Sequence, residues 1–157
     1  FDALKDRFII KAETQPVRDT CFHELIRTGI SFESRTHNRE KPWKSDCTLQ
    51  DFVLVHDYIV STVLPSAVER DDRVLLGDER ITTAFKAIIS VLADELKVEI
   101  TDRKLIKLYK LIMTQAFIFN GGNVTREELK ILCYCGNNFS DVRKIKDYIE
   151  ERLANLD

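Results

Sequence analysis

Apolar residues recur at helical spacing along most of the chain, and the longest such run covers 102–120. Lys104, Lys107 and Lys110 are expected on the face opposite the apolar stripe, because residues three and four apart share one side of a helix. The run ends at 120–123 (NGGN), a sequence typical of a helix C-terminus and a turn. The period therefore predicts an α-helix over 102–120. Its apolar positions are Leu105, Leu108, Tyr109, Ile112, Ala116 and Phe119.

The same spacing predicts several further helices. Thr125 and Glu128 form the pattern of a capping box, and Ser140 is placed to cap the last helix. Pro65 is expected to end the helix before it, and His56 lies on the apolar stripe of that helix, which favours a core histidine. The predicted helices cover 17–27, 48–64, 80–97, 125–135 and 140–153.

A short apolar run, Phe8-Ile9-Ile10, precedes these helices and predicts one strand. A lone strand leaves its backbone unsatisfied, so we expect its sheet in sequence upstream of Phe1. We also expect this arm to be mobile or to pair with another chain. The fold class is therefore mainly α, a bundle of five or six helices with a short N-terminal strand-bearing arm. A long polar loop is expected at about 28–47.

Composition narrows the functional class. The chain has 157 residues, of which 44% are hydrophobic and 32% charged, as in a globular domain. Its net charge of −2 makes a nucleic-acid binder an unfavoured reading. No uninterrupted apolar run approaches about 18 residues, so no membrane span is expected. The four cysteines indicate free thiols in a reducing cytoplasm.

No complete active site is evident from the spacing of reactive residues. Cys133 and Cys135 are two apart in a predicted helix and face different directions, so we expect no metal site and buried thiols instead. Cys21 and His23 diverge for the same reason. No glycine-rich phosphate-binding motif occurs in the chain.

Two arginines occupy positions where a bound anion would account for the positive charge. Arg7 directly precedes the apolar strand, and Arg103 lies in the first turn of the 102–120 helix. A cation in a first turn faces the positive end of the helix dipole, which is unfavourable unless a negative group lies nearby. The alternative, that each is an ordinary surface charge, stays open at this point.

Three segments carry a family resemblance that covers nearly the whole chain. Residues 1–10 (FDALKDRFII) resemble the E-A-L-x-D-R-F-hydrophobic segment of MoxR-type AAA+ ATPases, including the RavA branch. Residues 100–105 (ITDRKL) are similar to the S-D-R-R-hydrophobic helix of the family's lid, with Lys104 in place of the second arginine. Residues 124–132 (VTREELKIL) resemble the following lid helix, V-x-x-x-D-L.

The resemblance implies a division of the chain into two parts and a role for each of the two arginines. Residues 1–16 would be the end of the AAA+ core, and 17–157 the helical lid. Arg7 would be the catalytic arginine finger on the neighbouring subunit's γ-phosphate, and Arg103 would be sensor 2, binding the nucleotide of its own subunit. Because the chain begins with Phe1, we expect a fragment whose Walker motifs lie upstream and which is inactive alone.

The family also implies the wider setting. The full-length protein would bind ATP and Mg²⁺, form a homo-oligomer, expected to be a hexamer, and remodel a client protein in a chaperone-like way. The fragment alone would bind no cofactor.

Two alternatives remain. One is a stand-alone helical protein-interaction module that uses loop 33–44 and the Lys104/Lys107/Lys110 face. The other is a helix-turn-helix nucleic-acid binder. Its second helix would offer Arg126 and Lys130 to a groove, but the acids Glu127 and Glu128 at the start of that helix would face the phosphates unfavourably.

Overall fold

The computed structural model describes residues 8–11, 16–40, 46–138 and 140–154. This part of the chain is mainly helical, as the sequence predicts, with six helical rods if two segments joined by a π-helical turn are counted as one. The α-helices are α1 (Phe22–His37), α2 (Leu49–Tyr58), α3 (Leu64–Val68), α4 (Glu79–Asp94), α5 (Asp102–Asn120), α6 (Arg126–Leu129) and α7 (Asp141–Ala154). The π-helical turn is Ile59–Val63, and 3₁₀ segments cover Val17–Asp19, Asp72–Val74 and Lys130–Cys135.

The chain divides into two compact units. The larger unit consists of Phe1–Ala12 with His56–Asp157, and the smaller unit is Glu13–Val55. All buried apolar side chains of the described residues belong to the larger unit. In the smaller unit, α1 buries none of its residues.

The core of the larger unit is built from stripes at helical spacing. Within α5, Leu108, Ile112 and Ala116 are four residues apart and almost fully buried. Helix α7 packs on α4 and on the Lys130–Cys135 segment through a stripe that contains Ile145. Each fully buried leucine or isoleucine contributes about 1.5–3 kcal/mol, so these stripes hold the larger unit together.

Local sequence signals fix where the helices begin and end. The Asp78 Oδ1 accepts hydrogen bonds from the amides of Arg80 at 2.7 Å and Ile81 at 3.2 Å, which caps α4. Helix α5 ends at Gly121, whose φ of 59° lies in the left-handed region. At α6, the Thr125 amide donates to Glu128 Oε2 at 2.6 Å. The predicted capping box and the bounds of α5 are confirmed.

The prediction that Pro65 ends its helix is wrong. The rod continues through the π-helical turn Ile59–Val63 into α3 and ends at Val68. Pro65 stands in the first turn of α3, where a missing N–H costs little, and the wider turn before it absorbs the change. By length and composition alone, Leu49–Val68 is apolar enough to cross a membrane, a run that the sequence reading did not identify.

Helix α1 is also longer than predicted. It passes through Gly29 and ends at His37, so the irregular connection begins at Asn38 rather than at about 28. One glycine inside a helix costs about 1 kcal/mol relative to alanine, which the remaining turns outweigh. Residues 41–45 of the predicted loop lie outside the described part.

Several side chains predicted for the core are exposed. His56 points to solvent beside Asp57, whose Oδ1 lies 3.3 Å from its Nδ1, so it is not a core histidine. Phe119 is 80% exposed although it was placed on the buried face of α5. Leu49 and Phe52 are exposed as well. Apolar spacing predicts which residues share a face, and it does not reveal whether anything covers that face.

The described part of the N-terminal arm packs on its own unit. The Lys11 amide donates to the carbonyl of Tyr134 at 3.2 Å, and Lys11 Nζ donates to the carbonyl of Gly136 at 2.8 Å. Ile9 packs against the core. Residues 8–11 form no strand, and Phe8 and Ile10 stay 64% and 46% exposed, so their own unit covers this segment only in part. The expectation that the arm is mobile or pairs with another chain stays a prediction.

Candidate functional site: a cationic face on helix α5

Three cations line one face of α5. Arg103, Lys107 and Lys110 are spaced i, i+4 and i+7, so their side chains follow the same side of the helix. With Ile106 they line a shallow depression of about 690 Å³. The helix begins after Thr101, whose Oγ1 accepts a hydrogen bond from the Lys104 amide at 3.2 Å. Arg103 is therefore held in the first turn of a capped 19-residue helix.

The electrostatics of this face favour an anion. Within the described residues, no acidic side chain lies within ion-pair distance of Arg103, Lys107 or Lys110. Asp102, the first residue of α5, is exposed and is the acidic residue of that first turn. Arg103 lies at the positive end of the helix dipole, and its charge and those of the two lysines repel one another, so a bound phosphate or carboxylate would relieve that repulsion.

Lys104 does not belong to this face, which corrects the predicted Lys104/Lys107/Lys110 surface. Its side chain is 4% exposed, and its Nζ donates to the carbonyl of Glu99 at 2.8 Å. It occupies the buried stripe four residues before Leu108. Arg103 takes its place on the exposed face. The i, i+4, i+7 spacing of 103, 107 and 110 is the signal in the sequence that could have shown this.

An apolar groove adjoins the cationic depression and shares Ile106 and Lys110 with it. Its volume is about 560 Å³, and its walls come from α3, α4, α5 and Leu75. Tyr109 closes one part of it by donating from its hydroxyl to the Leu75 carbonyl at 3.2 Å. Burial raises the pKa of Tyr109, partly offset by Arg70, so the phenol stays neutral at physiological pH. The sequence reading missed this groove because it assigned Tyr109 to the closed core.

Arg7 lies outside the described residues. Among the described residues, no three His, Cys, Asp or Glu side chains lie close enough together to hold a metal ion.

The four thiols differ in environment. Cys133 and Cys135 are buried as expected, whereas Cys21 and Cys47 are exposed, which corrects the expectation of buried thiols. Burial raises the pKa of Cys135 to about 11 and also raises that of Cys133. The two buried thiols are therefore protonated and unreactive at neutral pH.

The segment after the NGGN turn is poorly suited to reading DNA. Its α-helix is only four residues long, Arg126–Leu129, and continues as the 3₁₀ segment Lys130–Cys135. Glu128 is buried and engaged in the capping box. A recognition helix needs a longer exposed face to enter a major groove, so the geometry disfavours this alternative.

Comparison of the chain with protein-family models, with curated proteins and with solved structures found no match. The candidate site therefore rests on its own geometry. It combines an exposed arginine in the first turn of a long capped helix, two lysines on the same face, and an apolar groove beside them.

Proposed function

We propose that this chain is the C-terminal part of a MoxR-type AAA+ ATPase, in which Arg103 contacts the phosphates of a nucleotide held by its own subunit. The observation that supports this most is the exposed Arg103 in the first turn of α5, for which the described residues supply no acidic partner. The position agrees with that of the resembling motif, and the free cationic face gives an anion a place to bind.

A guanidinium suits this work because it stays charged and presents a planar fork of donors to phosphate oxygens. Arg103 also sits on a rigid rod of 19 residues whose inner stripe is buried in the larger unit. Loss of a phosphate at Arg103 would therefore shift a whole packed helix. That coupling is how nucleotide state would change the angle of a lid.

The remaining roles follow the resemblance. Arg7 would reach the γ-phosphate held by a neighbouring subunit of a homo-oligomer, expected to be a hexamer. ATP and Mg²⁺ would be bound by the full-length protein through motifs upstream, and hydrolysis would drive remodelling of a client protein. This chain would complete the nucleotide sites and would not hydrolyse ATP alone.

The first experiment is to sequence the native polypeptide across Phe1 and then measure ATP turnover in that full-length protein. R103A is expected to lower turnover by about tenfold or more, because a charge-assisted contact to phosphate is lost. R7A is expected to abolish turnover and to leave ATP binding intact.

The matched control is R143A, which removes an exposed arginine from the first turn of α7. R143A should leave turnover unchanged. Equal turnover in R103A and R143A would remove Arg103 from the site. A native chain that begins near Phe1 without Walker motifs would remove the ATPase proposal altogether.

The smaller unit favours a second candidate, a helical protein-interaction module. Helix α1 and the part of α2 that belongs to this unit expose large apolar side chains, as surfaces that bind other proteins do. In this case the whole chain would be a well-folded monomer and would show no nucleotide response. The exposed side chains include Phe22, Leu25, Ile26, Ile30, Leu49 and Phe52.

A further inference from the structure

The groove beside the cationic face is apolar and open along its length. Helices α4 and α5 each contribute about two turns to its walls, through 85–90 and 105–110, and α3 contributes Leu64 and Val68. Ile106 is 56% exposed at the edge that the groove shares with the cationic depression. A groove of this length accommodates about two turns of an amphipathic helix, with anchors at i, i+3 or i+4, and i+7.

The charged side chains that line the groove have one sign, although the lining residue Ser90 donates from its hydroxyl to Asp94 Oδ2 at 2.8 Å. Within the described residues, all charged side chains that line the groove and the adjoining depression are cationic: Lys86, Arg103, Lys107 and Lys110. Lys86 also donates to the carbonyl of Asp72 at 3.3 Å, which leaves its charge without a carboxylate. This local excess contrasts with the net charge of −2 for the whole chain.

We propose that this groove docks an amphipathic helix of a partner protein, whose apolar face fills the groove and whose flank carries glutamate or aspartate. Charge complementarity favours the acidic flank. A basic helix would place like charges opposite the four cations, and a neutral helix would offer them no counter-charge. The inference concerns a different ligand from the nucleotide at Arg103. It goes beyond the proposed function and stands without it.

The probe is a fluorescein-labelled synthetic helix of 15 residues with leucine at i, i+3 and i+7 and glutamate on the flanks. Its twin carries lysine in place of every glutamate. Binding to the full 157-residue chain is followed by fluorescence anisotropy. The acidic peptide is expected to bind at least about tenfold more tightly than its twin, and added salt should weaken it.

The variant I106E tests the groove, and I118E is its matched control. Both replace an isoleucine of α5, and the two side chains are 56% and 54% exposed, but only Ile106 lines the groove. I106E is expected to weaken binding of the acidic peptide by about tenfold or more, since a charge replaces an anchor contact. I118E should bind as the unaltered chain does. Circular dichroism checks that both variants remain helical.

The variant K110E tests the charge, with K144E, an exposed lysine of α7, as the control. K110E should weaken binding of the acidic peptide by about threefold and tighten binding of the lysine twin, while K144E should change neither affinity. Equal binding of both peptides, no binding of either, or equal effects of I106E and I118E would overturn the proposal. Dodecanoate binding that I106E removes, without peptide binding, would also overturn it and leave a site for small amphiphiles.

Discussion

Adjacent cations can occupy opposite environments, as Arg103 and Lys104 do. Successive residues of an α-helix are turned by about 100°, so one step moves a side chain from the exposed face of α5 into its buried stripe. Lys104 is held there by the Glu99 carbonyl, whereas Arg103 is exposed to solvent. Lys104 therefore has a structural role, and Arg103 is available to a ligand.

Replacing Lys104 by methionine keeps the buried stem and removes the charge-bearing donor. We expect K104M to lower the free energy of unfolding by about 1 kcal/mol, because the Glu99 carbonyl loses its partner. K107M, on the more exposed face, should change it by less than about 0.5 kcal/mol. Urea denaturation followed by circular dichroism measures both. Equal values would contradict the buried role of Lys104.

The buried thiol of Cys135 is expected to make the free energy of unfolding fall as the pH rises into the alkaline range. Its pKa rises from 9.0 to about 11 in the folded chain, so between these values the unfolded chain loses a proton that the folded chain keeps. Unfolding is then favoured as pH rises, and the stabilisation present below pH 9 falls by roughly 2 kcal/mol by pH 11. The variant C135A should lack this part of the decline. Urea titrations at several pH values compare the two slopes, and parallel curves would contradict the assignment.

At the scale of elements, the ends of α5 and α7 were predictable, whereas the ends of α1 and of the rod that contains Pro65 were not, and neither were the surroundings of the helices. The sequence predicts α5, the Thr125–Glu128 capping box and α7 because caps and apolar spacing act within a few residues. The π-helical turn before Pro65 lay beyond such signals. So did the exposure of α1 and the groove, since each depends on which other helix does or does not lie opposite.

Two glycines in different elements should respond oppositely to alanine. Gly29 lies inside α1 with no neighbouring atom within 4 Å of an added Cβ, so G29A should raise the stability of that helix by about 1 kcal/mol. At Gly136 an added Cβ would lie 2.8 Å from the Asp141 Cβ and 3.2 Å from Ile145 Cδ1. G136A should therefore lower the free energy of unfolding by about 1–3 kcal/mol.

Thermal and urea denaturation, with far-ultraviolet circular dichroism for helix content, measure this pair. Tolerance of G136A with no loss of stability would contradict the packing of α7 against the segment before it.

At the scale of the molecule, burial is divided unequally between the two compact units. The larger unit holds the core, and the candidate site stands on that packed base. In the smaller unit α1 has no buried residue, so its hydrogen bonds are protected by little besides the helix itself. Local opening of such an element costs little free energy.

Hydrogen exchange should reveal this division. In dilute solution, amides of α1 are expected to exchange at least about a hundredfold faster than those of α5, whose inner stripe is buried. The experiment is repeated at rising protein concentration as a control for self-association. Equal protection of α1 and α5 in dilute solution would contradict the burial pattern.

The contact between Lys11 and Gly136 has a consequence for how the chain is made. The two residues are 125 positions apart, and synthesis at 5–20 residues per second separates their emergence by about 6–25 s. During that interval Ile9 lacks the surface that later packs against it. The contacts of Lys11 can therefore form only after Tyr134 and Gly136 have been translated.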